Sequence, residues 1–261
     1  MDILGLLVPA TYLAMLAVEQ LAPARPQPKV RAWHFMGLLF LCLNGLVSTV
    51  TPLLIPADWL ARHSLLDLRG LGVAGGALVG YAVLSLASFA WHRCAHQVPF
   101  VWRVFHQIHH SPSRVDISGS MLFHPLEMIV FTLMSLATST LVLGLDPLAA
   151  GITGYVAAFY GMFQHWNVRT PRWIGYLIQR PEAHAMHHER GVHARNYADL
   201  PIWDMLFGSF HSPEAFDGEV GFDPPADRRI LAMLAFAEVN QAAGASLGRR
   251  PRPAAASEPP A

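Results

Sequence analysis

Five histidines follow directly after an apolar run in "WHRCAHQVPFVWRVFHQIHH", residues 91–110. The preceding residues, 72–90, read "GVAGGALVGYAVLSLASFA" and contain no charged side chain. A helix of about 20 apolar residues is long enough to cross the hydrocarbon core of a bilayer. The junction therefore predicts that histidine chemistry begins where a membrane span ends.

The composition of the chain is that of an integral membrane protein. Of its 261 residues, 53% are hydrophobic and only 14% are charged, and the mean hydropathy is +0.33. Soluble domains carry about a quarter charged residues. The formal net charge is +0, and no nucleic-acid partner is expected.

Apolar runs locate the membrane spans. A break at Asp146-Pro147 is typical of a turn and splits the last apolar stretch into two helices of a hairpin. The expected fold is an all-α integral membrane protein with three single transmembrane helices, one helical hairpin and a cytosolic helical cap that carries the histidine motifs. The single spans are predicted at 3–21, 35–55 and 71–91, and the hairpin helices at 128–145 and 147–163.

Basic residues orient these spans. The loop 22–34 carries Arg25, Lys29 and Arg31, and loops rich in basic residues remain in the cytoplasm. This places the histidine motifs on the cytoplasmic side and the N-terminus outside. Lys29 is the only lysine among 18 basic residues, which is typical of GC-rich bacterial genomes, so the expected location is a bacterial inner membrane.

The chain is expected to have three sections. Residues 1–70 form N-terminal transmembrane helices, and residues 71–211 form a histidine-rich core that binds two metal ions. Residues 212–261 form a C-terminal segment whose Pro/Ala-rich end, "GRRPRPAAASEPPA", is expected to be disordered.

Histidine spacing predicts metal binding. The motifs are HxxxH at His92 and His96, and HxxHH beginning at His106 and again at His184. Residues three and four apart lie on one face of a helix, so two or three imidazoles can point at one centre, and imidazole is the commonest metal ligand. Outside these motifs, His34, His63 and His211 are interpreted as ordinary packed or solvated residues.

The number of histidines exceeds the needs of one ion. A single zinc takes three or four protein ligands, whereas nine candidates fit two ions with four or five ligands each. Carboxylates are nearly absent from the motifs, and all-imidazole sites at a membrane surface indicate redox iron rather than hydrolytic zinc. The nine candidate ligands are His92, His96, His106, His109, His110, His165, His184, His187 and His188.

The same motifs carry a resemblance to a known family. "HRCAH", "HQIHH", "FHPLE", "FQHWN" and "HAMHH" resemble the ordered histidine boxes of the fatty acid hydroxylase / sterol desaturase superfamily. Residues 195–210, "RNYADLPIWDMLFGSF", are similar to the closing motif of that family, with Ala198 in place of its usual Gly and Ser209 in place of its usual Thr. Some members carry a further histidine where this chain has Gly161. The resemblance covers about residues 71–210.

The resemblance implies a function. Members of that superfamily are membrane-bound non-haem di-iron oxygenases that hydroxylate or desaturate a C–H bond of a lipid, sterol-like or fatty acyl, with O2 as co-substrate. The implied cofactors are two iron ions, which zinc can replace on overexpression because imidazole sites bind it more tightly. The implied partners are a lipid substrate in the membrane and a separate electron donor: a ferredoxin, a cytochrome b5-like protein or a reductase.

The sequence allows more than one role for three further residues, and it allows two other functions. His124 of "FHPLE" is a candidate supplementary ligand, a neighbour of the ligands, or simply the histidine at a helix start before Pro125. Asn196 and Asp204 either accept hydrogen bonds from the free ring N–H groups of the ligands and so orient the rings, or they cap and solvate a helix. The alternative functions are a membrane metal transporter and a zinc-dependent membrane hydrolase. The oligomeric state does not follow from the sequence.

Overall fold

The computed structural model describes residues 3–240, and within that range the chain is helical with no strand beyond one isolated bridge, Glu189 to Val220. The expected Pro/Ala-rich tail lies outside the described residues. The helices are α1 (Ile3–Leu21), α2 (Trp33–Leu53), α3 (Ala57–Arg62), α4 (Gly72–Gln97), α5 (99–110), α6 (Pro125–Val142), α7 (Pro147–His165), α8 (Pro181–His187), α9 (Pro201–Leu206) and α10 (Ile230–Leu234).

The all-α membrane class is confirmed. Within residues 3–240, four helices are long and apolar enough to cross a membrane: α1, α2, α4 with its preceding turn, and α6. Helix α7 has 19 residues but is less apolar and does not belong to this group. The membrane crossing of the second hairpin helix therefore stays a prediction.

One end of the helical bundle is built from the loop after α3 and the turn between α6 and α7. Backbone N–H groups of residues 65–68 donate to carbonyls of residues 141–143 over 2.7–3.1 Å. The predicted break at Asp146-Pro147 is confirmed, and the Asp146 carboxylate caps α7 by accepting the N–H groups of Leu148 and Ala149. The chain therefore reverses here, away from the histidines.

The opposite end carries the histidine-bearing segments. Glu19, at the end of α1, is buried and accepts the backbone N–H groups of Ile117 and Asn167, each at 3.0 Å. Asn167 also bonds to the backbone of Arg25 through its side-chain amide. These bonds fix the basic loop 22–32 at the same end as the segment that follows His165.

Small residues bring α4 and α7 into close contact. A Cβ at Gly80 would lie 2.5 Å from Thr153 Oγ1, and one at Gly76 would lie 3.0 Å from the Ala149 side chain. Small residues four apart allow membrane helices to approach closely. The paired positions advance in the same direction along both helices, so α4 and α7 run parallel. Their C-terminal ends, with His92, His96 and His165, therefore meet at one end of the bundle.

This arrangement predicts that the two ends lie on opposite sides of the membrane. In a chain with Cys42 and Cys94 replaced by Ser, Arg62→Cys and Glu214→Cys should react with an impermeant thiol reagent from opposite faces. If the basic loop is cytoplasmic, Arg62→Cys is labelled in intact cells and Glu214→Cys only after lysis. Labelling of both positions in intact cells would contradict the two-ended arrangement.

Candidate metal centre

The nine predicted ligands converge in two groups. His92 and His96 of α4, His106 and His110 of α5, and His187 of α8 form a five-histidine group. The second, four-histidine group consists of His109, His165, His184 and His188. In each group one ring nitrogen from every member lies within 4.8 Å of all the others.

The two groups share their helices and are in direct contact. In each HxxHH motif the first and last histidines, four residues apart, enter one group and the middle one enters the other. Thus His106 and His110 belong to the five-histidine group, whereas His109 belongs to the four-histidine group. The rings of His110 and His188 stack across the boundary with centroids 4.0 Å apart. From the sequence, the histidines of one motif could all point at one centre. In the structure each HxxHH motif contributes histidines to both groups.

A π-helical turn in α5 positions the histidines of the "HQIHH" motif relative to one another. Residues Trp102–His106 form a π-helix, and the α-helix resumes at Gln107. Such turns are rare and often occur at functional sites. Here the turn ends on His106, so it places the first ligand of the "HQIHH" motif relative to the last two.

The ring nitrogens that face the centre are Nε2 atoms at short distances. Within the five-histidine group, Nε2 of His110 lies 3.1 Å from that of His106 and 3.2 Å from that of His187. Within the four-histidine group, Nε2 of His184 lies 3.0 Å from that of His165 and 3.1 Å from that of His188. The rings therefore present one edge to a shared point.

The opposite edges of most rings in the five-histidine group are held by hydrogen bonds. His92 Nδ1 donates to the Tyr197 carbonyl and His187 Nδ1 donates to the Arg195 carbonyl, each over 2.7 Å. His106 Nδ1 donates to the Glu127 carboxylate over 2.8 Å. A neutral ring that donates from Nδ1 carries a lone pair on Nε2, so these three rings direct lone pairs at the centre.

Asn196 and Asp204, for which the sequence left two roles open, lie behind the loop that holds two of the rings. The Asp204 carboxylate accepts the backbone N–H groups of Tyr197 and Ala198 and the Ser209 hydroxyl. Asn196 donates to the Ala183 carbonyl and accepts the N–H of His211. Neither side chain hydrogen-bonds a ligand ring. Instead they order the loop whose carbonyls hold His92 and His187.

Burial favours the neutral form of five of the rings. Loss of solvation, reinforced by the neighbouring imidazoles, holds the pKa of His109, His110, His184 and His188 well below the ordinary histidine value. The same burial lowers the pKa of His187. Neutral imidazole is the form that binds metals, so the environment supplies ligands ready at neutral pH.

The geometry fits metal ions better than a purely hydrogen-bonded cluster. Imidazole nitrogens that bind one metal at about 2.1 Å lie roughly 3.0–3.4 Å from one another, and the observed separations are 3.0–3.2 Å. Within residues 3–240, His92 Nε2 and both ring nitrogens of His96 are buried with no hydrogen-bond partner. A cation in the five-histidine group would pair the Nε2 atom of His92 and one nitrogen of His96, and a cation in the four-histidine group would be bound by Nε2 atoms that otherwise face only one another.

The remaining histidines lie outside both groups. His124 caps α6, where its Nδ1 accepts the N–H of Leu126 at 3.1 Å, and its Nε2 lies 3.3 Å from the Leu234 carbonyl. His34 bonds to Ser118, and His63 stacks on Trp59. His211 is exposed and contacts the Ser209 carbonyl.

Two residues beside the ligands were missed at the sequence level. Glu127, in "FHPLE", is fully buried and accepts hydrogen bonds from His106 and from Trp91 Nε1. His193 is buried with its Nδ1 3.2 Å from His110 Nδ1, and burial lowers its pKa to about 3. A carboxylate at the start of an apolar run was a signal for Glu127. His193 lies in a loop, where helical offsets carry no information.

The division into ligands and bystanders predicts the effect of single substitutions on metal content. His187→Ala removes one of five converging nitrogens, so the metal affinity of the five-histidine group should fall at least 10–100-fold, the usual loss for removal of a supporting residue alone. His63→Ala and His211→Ala should keep the metal content of the unaltered chain. The measurement is metal per chain in purified protein after washing with a fixed concentration of chelator. Equal loss from His63→Ala and His187→Ala would contradict this assignment.

Comparison with known proteins agrees with the site. The family model described as fatty acid hydroxylase matches residues 77–209, just over half of the chain and including all nine candidate ligands. No solved structure matches the chain.

Curated relatives extend the comparison. An ornithine lipid hydroxylase of Rhizobium tropici is 29% identical over 67% of this chain and 54% of its own length. A very-long-chain aldehyde decarbonylase of Oryza sativa is 28% identical over 52% of this chain and 54% of its own. A cholesterol 25-hydroxylase-like protein of Danio rerio is 26% identical over 47% and 50%. This chain thus spans about half the length of these relatives, and the matched region identifies it as a member of the fatty acid hydroxylase family.

Proposed function

We propose that this protein is a membrane-bound non-haem di-iron oxygenase that hydroxylates or desaturates a C–H bond of a lipid. The observation that carries the proposal is the convergence of nine histidines in two contacting groups. Two iron(II) ions held there would supply the binding position for O2 and the redox chemistry needed to break an unactivated C–H bond. Family membership and the names of the relatives, which refer to lipids and a long-chain aldehyde, support this reading.

The overall reaction balances in either form. Hydroxylation consumes one O2, two electrons and two protons, inserts one oxygen atom into the C–H bond and releases one water. Desaturation consumes the same inputs, removes two hydrogens from neighbouring carbons and releases two waters. The chain therefore needs an electron source, and we assign that role to a separate ferredoxin, cytochrome b5-like protein or reductase.

The protein's own residues contribute ligand geometry and exclusion of water. The carbonyls of Arg195 and Tyr197 and the carboxylate of Glu127 fix ring orientation before any metal binds. His110, His187 and His188 are almost fully buried, so bulk water has little access to the centre. Placement of the substrate carbon decides between insertion of oxygen and removal of a second hydrogen.

The position of the site suits a substrate that remains in the membrane. His92 and His96 occupy the last two turns of α4, a candidate span, so the centre lies where that helix leaves the bilayer. We assign this end to the cytoplasmic side of a bacterial inner membrane because the basic loop 22–32 lies at the same end. Iron, electrons and protons are all available from that side.

The alternative functions gain no specific support. A transporter would bury polar ligands near the membrane midplane, whereas both histidine groups lie at one end of the bundle. A zinc hydrolase would need a carboxylate base beside its ligands. The Glu127 carboxylate holds His106 from its Nδ1 side, away from the converging Nε2 atoms. The Glu189 carboxylate faces Arg195 at 3.8 Å, and neither glutamate belongs to a histidine group.

Comparative lipid mass spectrometry tests the proposal. Cells expressing the unaltered chain should contain one lipid species that is absent from cells expressing His187→Ala at the same level. A mass increase of one oxygen atom identifies hydroxylation, and a loss of two hydrogen atoms identifies desaturation. Identical lipid profiles in the two strains, with iron and an electron donor supplied, would contradict the proposed function.

A further inference from the structure

An exposed apolar surface lies outside the candidate spans. The 3₁₀ turn Arg172–Tyr176 packs against α9, and together they present large apolar side chains to the outside. Trp173 is 64% exposed and Leu206 is 66% exposed. We call this surface the apolar shelf, and its members are Trp173, Tyr176, Leu177, Ile202, Leu206 and Phe207.

The apolar shelf is continuous with the surface of a candidate span. The ring of Phe207 stacks on Phe89 of α4 with centroids 5.2 Å apart. Leu86, one turn earlier on α4, is also partly exposed. The shelf therefore extends the lipid-facing side of α4 sideways rather than forming a separate patch on the cap.

The contact between Phe207 and Phe89 lies at the position along α4 where the membrane boundary is expected. About 20 residues of helix cross the hydrocarbon core, so a span that begins at Gly72 ends near Trp91. Phe89 lies two residues before that point, and Phe207 packs at its level. The shelf is thus positioned where headgroups meet acyl chains.

The side chains at this height are those that favour the boundary. Trp and Tyr are enriched at membrane interfaces, and arginines anchor at the headgroup level. Arg169 and Arg172 beside the shelf are exposed, and the Arg93 guanidinium lies 5.9 Å from the Phe89 ring. This combination fits a bilayer surface with anionic headgroups better than it fits water.

We propose that the apolar shelf inserts into the headgroup–acyl boundary of the same leaflet that contains the end of α4. This goes beyond the proposed function because it assigns a second membrane-contacting surface to the cap. Its position has a consequence for the site. Tyr197 contacts Phe89 at 6.4 Å between ring centroids and the rings of His92 and His96 at 5.6 and 5.3 Å. Lipid at the shelf therefore lies two aromatic rings from the candidate ligands.

Site-specific fluorescence tests the insertion. In a full-length chain with Cys42 and Cys94 replaced by Ser, Leu206→Cys carries an environment-sensitive dye, and Trp173→Cys provides a second position. The protein is placed in vesicles of phosphatidylcholine and phosphatidylglycerol. A phosphatidylcholine spin-labelled near the headgroup should quench both dyes, whereas aqueous iodide should not. The matched control is Glu219→Cys, whose native side chain is 79% exposed, and it should show the reverse pattern.

Two outcomes would overturn the proposal. If iodide quenches the dye at Leu206→Cys as strongly as at Glu219→Cys, the shelf faces water. If neither quencher reaches residue 206 or 173, a protein surface covers the shelf, for example that of a second copy of the chain. Either result leaves the proposed oxygenase function untouched, because the metal centre is tested separately.

A second inference rests on a different observation, the hydrogen bonds behind the ligands. In the five-histidine group, Nδ1 of His92, His106 and His187 each donates to a protein oxygen. In the four-histidine group, the Nδ1 atoms of His109, His165 and His184 are buried without a partner within residues 3–240. Among the described residues His96 is the one member of the five-histidine group whose Nδ1 is likewise buried without a partner. The two groups therefore differ in how many of their rings are held by hydrogen bonds.

Glu127 is the charged member of this supporting set. Its side chain and that of His106 are 0% and 3% exposed, and Oε1 accepts from His106 at 2.8 Å and from Trp91 at 3.2 Å. Hydrogen bonds to a carboxylate are shorter and stronger than those to neutral acceptors. Such partners fix the ring orientation and strengthen donation to a metal, and their removal usually lowers metal affinity 10–100-fold.

We infer that the five-histidine group binds its metal first and more tightly, and that Glu127 is a positioning residue for that metal alone. The inference rests on the metal binding proposed above and deepens it. The unsupported rings of the four-histidine group, with one ligand fewer, would hold their metal more weakly.

Competitive metal titration tests whether the two histidine groups differ in metal affinity, and it needs no activity measurement. Metal-free protein in detergent is titrated with zinc against a chromophoric chelator. The unaltered chain should show two steps, and Glu127→Ala should weaken the tighter step 10–100-fold while the weaker step stays in place. Glu127→Gln keeps an oxygen acceptor for His106 but loses the charge, so it should weaken the tighter step by about 10-fold or less.

Controls assign the steps. His165→Ala should remove the weaker step only, and Ser139→Ala, at a buried position on the same helix as Glu127, should change neither. Two equal steps in the unaltered chain, or an equal shift of both steps in Glu127→Gln, would overturn the inference while leaving two-metal binding intact. Absence of any zinc binding would instead contradict the proposed function.

Discussion

The structure depends on a set of neutral imidazoles whose lone pairs converge in a region shielded from water. Partly because of burial, the pKa values of these rings lie below the ordinary histidine value. Leaving a buried polar group unpaired costs about 1–3 kcal/mol, and several ring nitrogens here have no protein partner within residues 3–240. Metal ions bound at the converging Nε2 atoms, as proposed above, would relieve part of that cost, for example at His92 and His96.

Helix packing positions the histidines, and a loop orients some of their rings. Close packing of α4 on α7 at Gly76 and Gly80 brings His92, His96 and His165 to the same end. The loop 195–211, ordered by Asp204 and Asn196, then supplies carbonyls that hold two rings from behind. Packing of α4 on α7 thus fixes the position of these candidate ligands, and the loop hydrogen bonds fix the orientation of His92 and His187.

Much of the fold and of the site could be predicted from the sequence. Apolar runs predicted the all-α membrane class, Asp146-Pro147 predicted the turn, and helical offsets predicted eight of the nine histidines that the structure brings together. The ninth, His165, was proposed from its position after the hairpin. These features are local, because length, hydropathy and spacing along one helix are enough to predict them. The division of each HxxHH motif between two groups was not predictable, since it depends on which neighbouring helices each histidine faces.

The supporting residues were missed, or their role was left open, for a related reason. Glu127 reaches His106 across 21 positions in sequence, and His193 reaches His110 across 83. For Asn196 and Asp204 the sequence left open whether they orient ligand rings or cap and solvate a helix. In the structure Asp204 accepts backbone N–H groups of Tyr197 and Ala198, and Asn196 donates to a backbone carbonyl of α8. A contact between distant segments leaves no periodic signal in a single sequence, and a polar side chain in a loop has many nearby backbone partners.

The central claim is that the two histidine groups hold two adjacent redox metals with imidazole ligands. It is tested most directly by iron analysis and X-ray absorption on purified protein reconstituted with iron(II) in the absence of oxygen. We expect two iron ions per chain, each surrounded by nitrogen atoms at about 2.1 Å, the usual metal–imidazole distance, with the scattering pattern of imidazole rings. One iron per chain, or a first shell without imidazole, would contradict it.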